Sequence, residues 1–548
     1  MNSKLPLFKK EEKGGLNFSR SDGQERQRVL LFFSLMIFLS FFTLITRLFV
    51  LTVVKGDYYR RLAEANRLKE IVIEAKRGKI FDRKGVVLAE NLEPNYKSKK
   101  ERINSSRIYH YNQAVAHLLG YRQTADKKEL ENDLCLRRLN FGDKAGKKGV
   151  EKLFDCQLRG KNGKKLVEVD ALGKEKKILA VVAPEKGKDT FLSIDVNLQE
   201  MAFGLLENKK GAVVALQPQT GEVLILSSSP SYDPQDFESG NERKITAYFK
   251  DQDQPLFNRA TEASYPPGSI FKLILAAAGL EEKVIDEKTQ IEDKGKIKIG
   301  NLEFGNWYFL QYGKVDGMVD VVKAIIRSND IFFYLLGEKL GVEKIKKWGE
   351  IFGFGKKTNI GIDETEGLIP FPFWKEEVIG ERWYLGDTIN LSIGQGYLLA
   401  TPLQAALATA VFANDGYLCQ PQLLKVKEAN FKNKNCKKLP ISKKTLKTVK
   451  EGMLQACSPG GTGWPLFNFG IGGESTAAAN FKKINTGCKT GTAESHAPSG
   501  LPHAWFTVFA PFEDPEIVVT VLIEEGGQGS DVAAPIAKEI LKEYFSKE

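Results

Sequence analysis

Pro266-Pro267-Gly268-Ser269-Ile270-Phe271-Lys272-Leu273-Ile274-Leu275-Ala276-Ala277-Ala278 is the stretch on which the fold turns. Two prolines and a glycine punctuate its start, and the helix that follows is apolar on every face, so it is buried inside a domain rather than laid on one. Upstream, Gly211 to Leu216 and Glu222 to Ser227 read as strands joined by the turn residues Gln217-Pro218-Gln219-Thr220-Gly221. Downstream, Ala504 to Ala510 and Glu516 to Glu524 flank Pro511-Phe512-Glu513-Asp514-Pro515, and Asp531 to Phe545 follows as an amphipathic helix. Strands at both ends of a domain, with mainly helical residues between and after them, imply an α+β fold: an antiparallel sheet sandwiched by helices.

The 548 residues exceed what one core can organise, so further domains are expected. Val29 to Thr46 is an 18-residue run without a charge, and the apolar character resumes from Leu48 to Val54, enough to cross a bilayer of roughly 30 Å. No small-residue cleavage site follows it, so the segment reads as an uncleaved membrane anchor. Basic residues flank it on both sides, and charge bias alone leaves the orientation open. Residues 56 to 75 read as a charged helix entering a strand, and Lys76 to Asn91 as a turn-rich β segment. Residues 92 to 182 are polar and interrupted.

The 80 Lys+Arg against 69 Asp+Glu give a net charge of +11. That excess concentrates between 421 and 450, where Lys425, Lys427, Lys432, Lys434, Lys437, Lys438, Lys443, Lys444, Lys447 and Lys450 face a single acid, Glu428. Phe431 is the only aromatic residue among them, so the run reads as a solvated loop or hairpin and not as a nucleic-acid surface. Cys135, Cys156, Cys419, Cys436, Cys457 and Cys488 are an even set suited to an oxidising compartment. Their pairing is open from sequence alone; Cys457 with Cys488 is one candidate pair. The histidines at 110, 117, 496 and 503 stand far from metal-ligand spacing with the cysteines.

Ser269 and Lys272 are three apart and share a helix face, with the lysine set among apolar neighbours. Burial disfavours the charged amine, and a neutral amine beside a hydroxyl is a general base beside a nucleophile. Taken alone, the pair is equally a capping serine and a snorkelling lysine. Ser328-Asn329-Asp330 interrupts a helical pattern, and Lys489-Thr490-Gly491-Thr492 occupies a strand-like position before the C-terminal hairpin. Each is unremarkable alone: a cap between helices and an exposed strand end. Together and in this order they are the S-x-x-K, S-x-N/D and K-T-G set of penicillin-binding proteins and serine β-lactamases.

The chain resembles the class B penicillin-binding proteins, the monofunctional peptidoglycan transpeptidases, and within them the elongation-type group. The resemblance rests also on Arg77-Gly78-Lys79-Ile80-Phe81-Asp82-Arg83, Gly149-Val150-Glu151-Lys152, Leu158-Arg159-Gly160, Ser231-Tyr232-Asp233-Pro234 and Asn258-Arg259. Ser392-Ile393-Gly394-Gln395-Gly396, Thr401-Pro402-Leu403-Gln404 and His503-Ala504-Trp505-Phe506 extend it, and Asp330 in place of Asn is like the elongation-type group. It implies four segments: a cytoplasmic tail at 1–28, the anchor at 29–54, a pedestal at 56–185, and a transpeptidase domain at 186–548 outside the membrane.

For the site, the resemblance implies that Ser269 attacks the penultimate D-alanine carbonyl of a stem peptide, releasing the terminal D-alanine and leaving an acyl-enzyme. Lys272 takes the serine proton, Ser328 relays a proton toward the leaving amine, and Asp330 holds the lysines through charge-assisted hydrogen bonds. Lys489, with the hydroxyls of Thr490 and Thr492, receives the substrate carboxylate, and Gly491 lets the substrate backbone lie against the strand. The backbone N–H groups of Ser269 and Thr492 form the oxyanion hole. The implied partners are peptidoglycan stem peptides on lipid-linked or nascent glycan, β-lactams, a RodA-type or FtsW-type glycan polymerase, and the membrane, with no nucleic acid and no cofactor.

Two rival readings share these residues. A carboxypeptidase or β-lactamase uses the same acyl-enzyme and differs in what deacylates it. A non-catalytic activator of a glycan polymerase would not need all three motifs intact. Some elongation-type relatives carry a zinc site of Asp, His and Cys before the S-x-D triplet. Here no His or Cys lies between 273 and 327, and Tyr312-Gly313 stands where those relatives have a His-Gly step. No zinc is expected, and metal analysis of the purified protein checks this. Relatives also insert a head subdomain into the pedestal. Here about 25 residues separate Asn91 from Ala116, including PNYKSKKERINSSRIYHYNQ at 94–113, too polar for a core of its own, so a headless pedestal is expected.

Overall fold

A computed structural model describes residues 22–92, 102–170, 172–426, 435–472, 481–495 and 499–546. Residues 1–21, part of the 94–113 interval, and Lys427, Phe431, Lys432 and Lys434 of the basic run lie outside the described residues. The chain divides into two compact units, one of residues up to Val72 with Lys164–Val182, the other of Ile73–Gly163 with Ala183–Glu548.

In the first unit Gln24–Val54 is one continuous helix, long and apolar enough to cross a membrane. The charged helix Gly56–Arg67 and the strand Leu68–Ile73 follow it. The strands Gly163–Val169 and Glu175–Val182 pair as an antiparallel hairpin.

The second unit is built on a five-stranded antiparallel sheet ordered Val223–Ser229, Gly211–Leu216, Ile517–Ile523, His503–Ala510, Gly487–Ala493. The hairpin 211–229 carries a register shift at Ala215/Leu216 that adds one residue to its second strand, which begins one residue later and ends two residues further than the sequence pattern suggests. Period-two alternation explains why nearly every strand residue is buried: on the first strand Ala212, Val214 and Leu216 face one core, Val213 and Ala215 the other. The helices Val196–Leu205 and Ala534–Ser546 cover the second face. The first face is covered by Lys272–Glu281 and by Pro402–Ala413, whose twelve residues are all buried. The helix-sheathed antiparallel sheet is thus as the end-strand pattern implies.

Residues 73–163 belong to this same unit, and among the described residues nothing between 102 and 140 stands as a compact unit of its own. Their short elements are organised by buried ions. Glu151, wholly buried, accepts from Arg77 Nε at 2.5 Å and from Arg107 Nε at 2.8 Å. Arg77 also reaches Asp155 at 2.6 Å, and Arg122 joins Glu74 at 2.9 Å to Glu238 at 2.8 Å. Burial pushes the Glu151 carboxyl up, but Arg107, Arg77 and Arg122 together hold it below its ordinary value. The Arg77 and Glu151 motifs, 74 residues apart, are therefore two halves of one ion cluster.

Of the described lysines of the basic run, Lys425 donates to Arg83 O at 2.9 Å and the others fall on two ordinary elements. Lys437 and Lys438 are on the strand Cys436–Lys438; Lys443, Lys444 and Lys447 lie on the exposed face of the helix Lys443–Ala456.

Candidate active site

Ser269 sits in a single 3₁₀ turn, Gly268–Ile270, leading into the helix Lys272–Glu281. The turn is braced from behind: Gly268 N–H donates to Gly394 O at 2.9 Å. Gly394 has φ +76°, and a Cβ there would fall 2.1 Å from Gly268 O, so the residue at 394 must be glycine for the loop to approach this closely.

Lys272 is fully buried one turn beyond the serine. Its ammonium donates to Asp330 Oδ1 at 2.6 Å and to Ser328 O at 2.9 Å, and lies 5.5 Å from the Phe333 ring centroid. Burial lowers its pKa, with Asp330 opposing. The Ser-Asn-Asp triplet lies between the helices Val321–Arg327 and Asp330–Ile351. Ser328 takes the left-handed conformation, φ 53° and ψ 36°, that ends the first, and Asn329 Oδ1 accepts from Phe332 N–H at 2.9 Å to cap the second. That explains the break in the helical pattern.

Lys489 is also fully buried and donates to Ser328 Oγ at 2.8 Å and Thr490 O at 3.0 Å. Asp330 therefore binds one lysine rather than both: its Oδ1 takes Lys272 and its Oδ2 accepts from Trp307 N–H at 2.8 Å. Burial and the positive charge of Lys272 hold Lys489 well below its ordinary value despite Asp330. The strand Gly487–Ala493 is the edge of the sheet, which leaves one side of it to the cleft. Gly491 is packed against the protein itself. A Cβ there would meet Trp505 Cβ at 2.8 Å and Ile270 Cγ1 and Pro267 O at 3.2 Å, so the glycine first of all lets the nucleophile turn close on the strand.

The cleft between these groups has a volume of about 680 Å³ and is lined by Ser269, Ser328, Thr490 and Thr492. Sequence reasoning missed its other walls, among them Trp307, Tyr312, Arg327, Trp464 and Gln528. No local motif carries them. Asp330 of the triplet, and Ile393 and Gln395 inside the quoted S-I-G-Q-G stretch, had a signal. Disulfides join Cys135–Cys156, Cys419–Cys436 and Cys457–Cys488, the last with Cα atoms 5.7 Å apart. The candidate pair thus ties the end of the helix Lys443–Ala456 to the strand beside Lys489. The following loop meets the strand where Thr462 Oγ1 and Thr490 Oγ1 lie 2.8 Å apart. Among the described residues no cluster of three or more His, Cys, Asp or Glu is placed to hold a metal ion.

Residues 211–542 match the penicillin binding protein transpeptidase domain and residues 96–192 the penicillin-binding protein dimerisation domain. The chain is 31% identical to the peptidoglycan D,D-transpeptidase MrdA of Haemophilus influenzae, over 92% of this chain and 89% of that protein. Among solved structures, the penicillin-binding protein (PBP2) of Helicobacter pylori in complex with MreC superposes with a TM-score of 0.73 at 28% identity, covering 88% of this chain and 99% of that one. A chain from a peptidoglycan synthase complex that coordinates polymerization and crosslinking gives a TM-score of 0.72 at 28% identity, over 96% and 99%.

Proposed function

The chain belongs to the penicillin-binding protein transpeptidase family, and from that premise we propose how its residues divide the work of a peptidoglycan D,D-transpeptidase of cell-wall elongation. Ser269 Oγ attacks the carbonyl carbon of the penultimate D-alanine while neutral Lys272 accepts the hydroxyl proton. The carbonyl oxygen becomes an oxyanion received by the N–H groups of Ser269 and Thr492. The C–N bond then breaks as the departing D-alanine amine takes a proton through Ser328; the amine of a second stem peptide attacks the acyl-enzyme carbonyl, its proton passes by way of Lys272 to Ser269 Oγ, and the ester bond to Ser269 breaks as the new amide forms. Lys489, Thr490 and Thr492 receive the substrate's terminal carboxylate, with Gly491 keeping the strand close.

One observation carries this reading: a fully buried lysine one turn from the serine, tied to Asp330, with Ser328 placed between it and a second buried lysine. Burial and the positive charge of Lys272 push the Lys489 pKa down, and the substrate's carboxylate is the charge that restores its proton. A solution assay of cross-linked dimer against free D-alanine tests transfer; free D-alanine without dimer would make the enzyme a carboxypeptidase.

The two lysines do different work despite equal charge, because one loses its proton and the other keeps it. Lys272→Arg is expected to abolish acylation with the fold intact, and Lys489→Arg mainly to weaken binding. Equal losses of rate and affinity in both variants would refute this division. The acylation rate of the native enzyme is expected to rise with pH as Lys272 deprotonates, with a midpoint below that of an ordinary lysine because burial disfavours its charged form.

The anchor helix and the relatives' assemblies support a single-pass topology with the N-terminus in the cytoplasm and the catalytic unit outside, on a headless pedestal at 56–185. The polymerase partner we infer is of the RodA type, since the relatives are MrdA proteins and one structural neighbour comes from a synthase complex. Reporter fusions at the N-terminus and after residue 185 test the topology; co-purification tests the partner.

A further inference from the structure

Asp293 lies on the short strand Ile291–Asp293, far in sequence from every motif of the site, and its side chain is 1% exposed. A buried carboxylate without a cation is costly unless N–H groups surround it. Here four do. Oδ1 accepts from Gly295 N–H at 2.6 Å; Oδ2 accepts from Asn306 Nδ2 at 2.7 Å, Asn329 Nδ2 at 2.8 Å and Asp316 N–H at 3.1 Å. Two of these donors lead straight to the catalytic groups. Asn329 is the middle residue of the triplet, between Ser328 and Asp330. Asn306 is wholly buried and uses its other side-chain atom, Oδ1, to accept from Asp330 N–H at 3.1 Å. The next residue, Trp307, gives its N–H to Asp330 Oδ2.

We propose that Asp293 is a positioning residue for acyl transfer: through Asn306 and Asn329 it sets the angle at which Asp330 meets Lys272 and the left-handed turn that presents Ser328. The role rests on the transpeptidase reading given above. The chemistry fits the task. Lys272 must be held at one place and must not be pinned as a cation, so the carboxylate facing it has to be fixed by something other than the lysine. Neutral amides on an anion do this without placing a second positive charge in the site. The charged groups facing Lys272 are Asp330 and Lys489. The helix Lys443–Ala456, also packed on its helix, turns in Thr445, Leu446, Val449, Gly452, Met453 and Ala456, none of them charged.

Asp293→Asn is the sharpest test because it keeps shape and removes acceptors. Both oxygens accept in the native protein, so either orientation of the new amide sets an N–H against donors. Asn306→Ala cuts the link to Asp330 and leaves Asp293 in place, and it serves if the first variant does not fold. Ser442→Ala removes the cap of the helix Lys443–Ala456, where Ser442 Oγ accepts from Thr445 N–H at 3.1 Å, and is the stability control.

The measurement is the rate of Ser269 acylation by labelled penicillin across pH, beside the melting temperature. Asp293→Asn and Asn306→Ala are expected to lose roughly 10- to 100-fold in maximal rate, as misplaced catalytic groups do. Their acid limb is expected to move to lower pH, because an Asp330 swung away no longer opposes the burial that lowers the Lys272 pKa. Ser442→Ala is expected to melt earlier with the rate within about twofold and the limb unmoved. Folded Asp293→Asn or Asn306→Ala protein acylating at the native rate with the native limb overturns the positioning role alone. Failure of the native protein to acylate overturns the functional reading itself.

Discussion

Ser269→Ala is expected to abolish covalent labelling by penicillin, a loss on the order of 10⁶-fold in rate for removal of a catalytic nucleophile. A β-lactam presents its strained carbonyl as the D-alanyl-D-alanine carbonyl is presented, and acylation needs a hydroxyl whose proton has somewhere to go. Ser269 is the serine whose third residue onward is a lysine, and that lysine is fully buried with a depressed pKa. Ser328 also stands in the cleft, but both lysines reach it as donors, Lys489 at its hydroxyl and Lys272 at its carbonyl. In the division of work proposed above Lys489 keeps its proton, so the Ser328 hydroxyl has no base beside it. Intact-protein mass spectrometry after incubation with labelled penicillin reads the result, and peptide mapping places the adduct. An adduct that survives Ser269→Ala sinks the nucleophile assignment.

Glu151→Ala is expected to destabilise the larger unit by about 3–5 kcal/mol, the usual cost of stripping one partner from a buried ion pair. Without the carboxylate, Arg77 Nε and Arg107 Nε face each other across a space closed to water. Against typical stabilities of roughly 5–15 kcal/mol, that is a large fraction. The neighbouring position supplies the contrast. Lys152 pairs with Asp363 at 3.5 Å with the two side chains 58% and 42% exposed, so Lys152→Ala is expected to cost no more than about 1 kcal/mol. Thermal melts of the detergent-solubilised chain should show a large drop for the first variant and little for the second. Equal shifts would mean that the cluster at Glu151 is worth no more than a surface pair.

Much of this protein was legible before any coordinates because its decisive signals are local. Ser269 and Lys272 are three apart, so helical periodicity alone puts them on one face and the apolar run around them buries the lysine. The anchor is a matter of length and charge within one segment. Apolar segments joined by turn residues at 211–227 and 504–524 declared the sheet, although the register shift at Ala215/Leu216 adds a residue to one strand and leaves no mark in the apolar pattern. What the sequence could not carry is partnership across the chain. Asp330 meets Lys272 over 58 residues, Lys489 meets Ser328 over 161, and Glu151 gathers arginines 74 and 44 residues away. That Asp330 binds one lysine and leaves the other to Ser328, that Cys457 pairs with Cys488, and that Asp293 anchors the catalytic triplet were decided only when these segments packed. The physical reason is that burial and periodicity are properties of neighbours along a helix or strand. The choice among equally plausible ion, amide or thiol partners depends on distances and on exclusion of water, which exist only in the folded core.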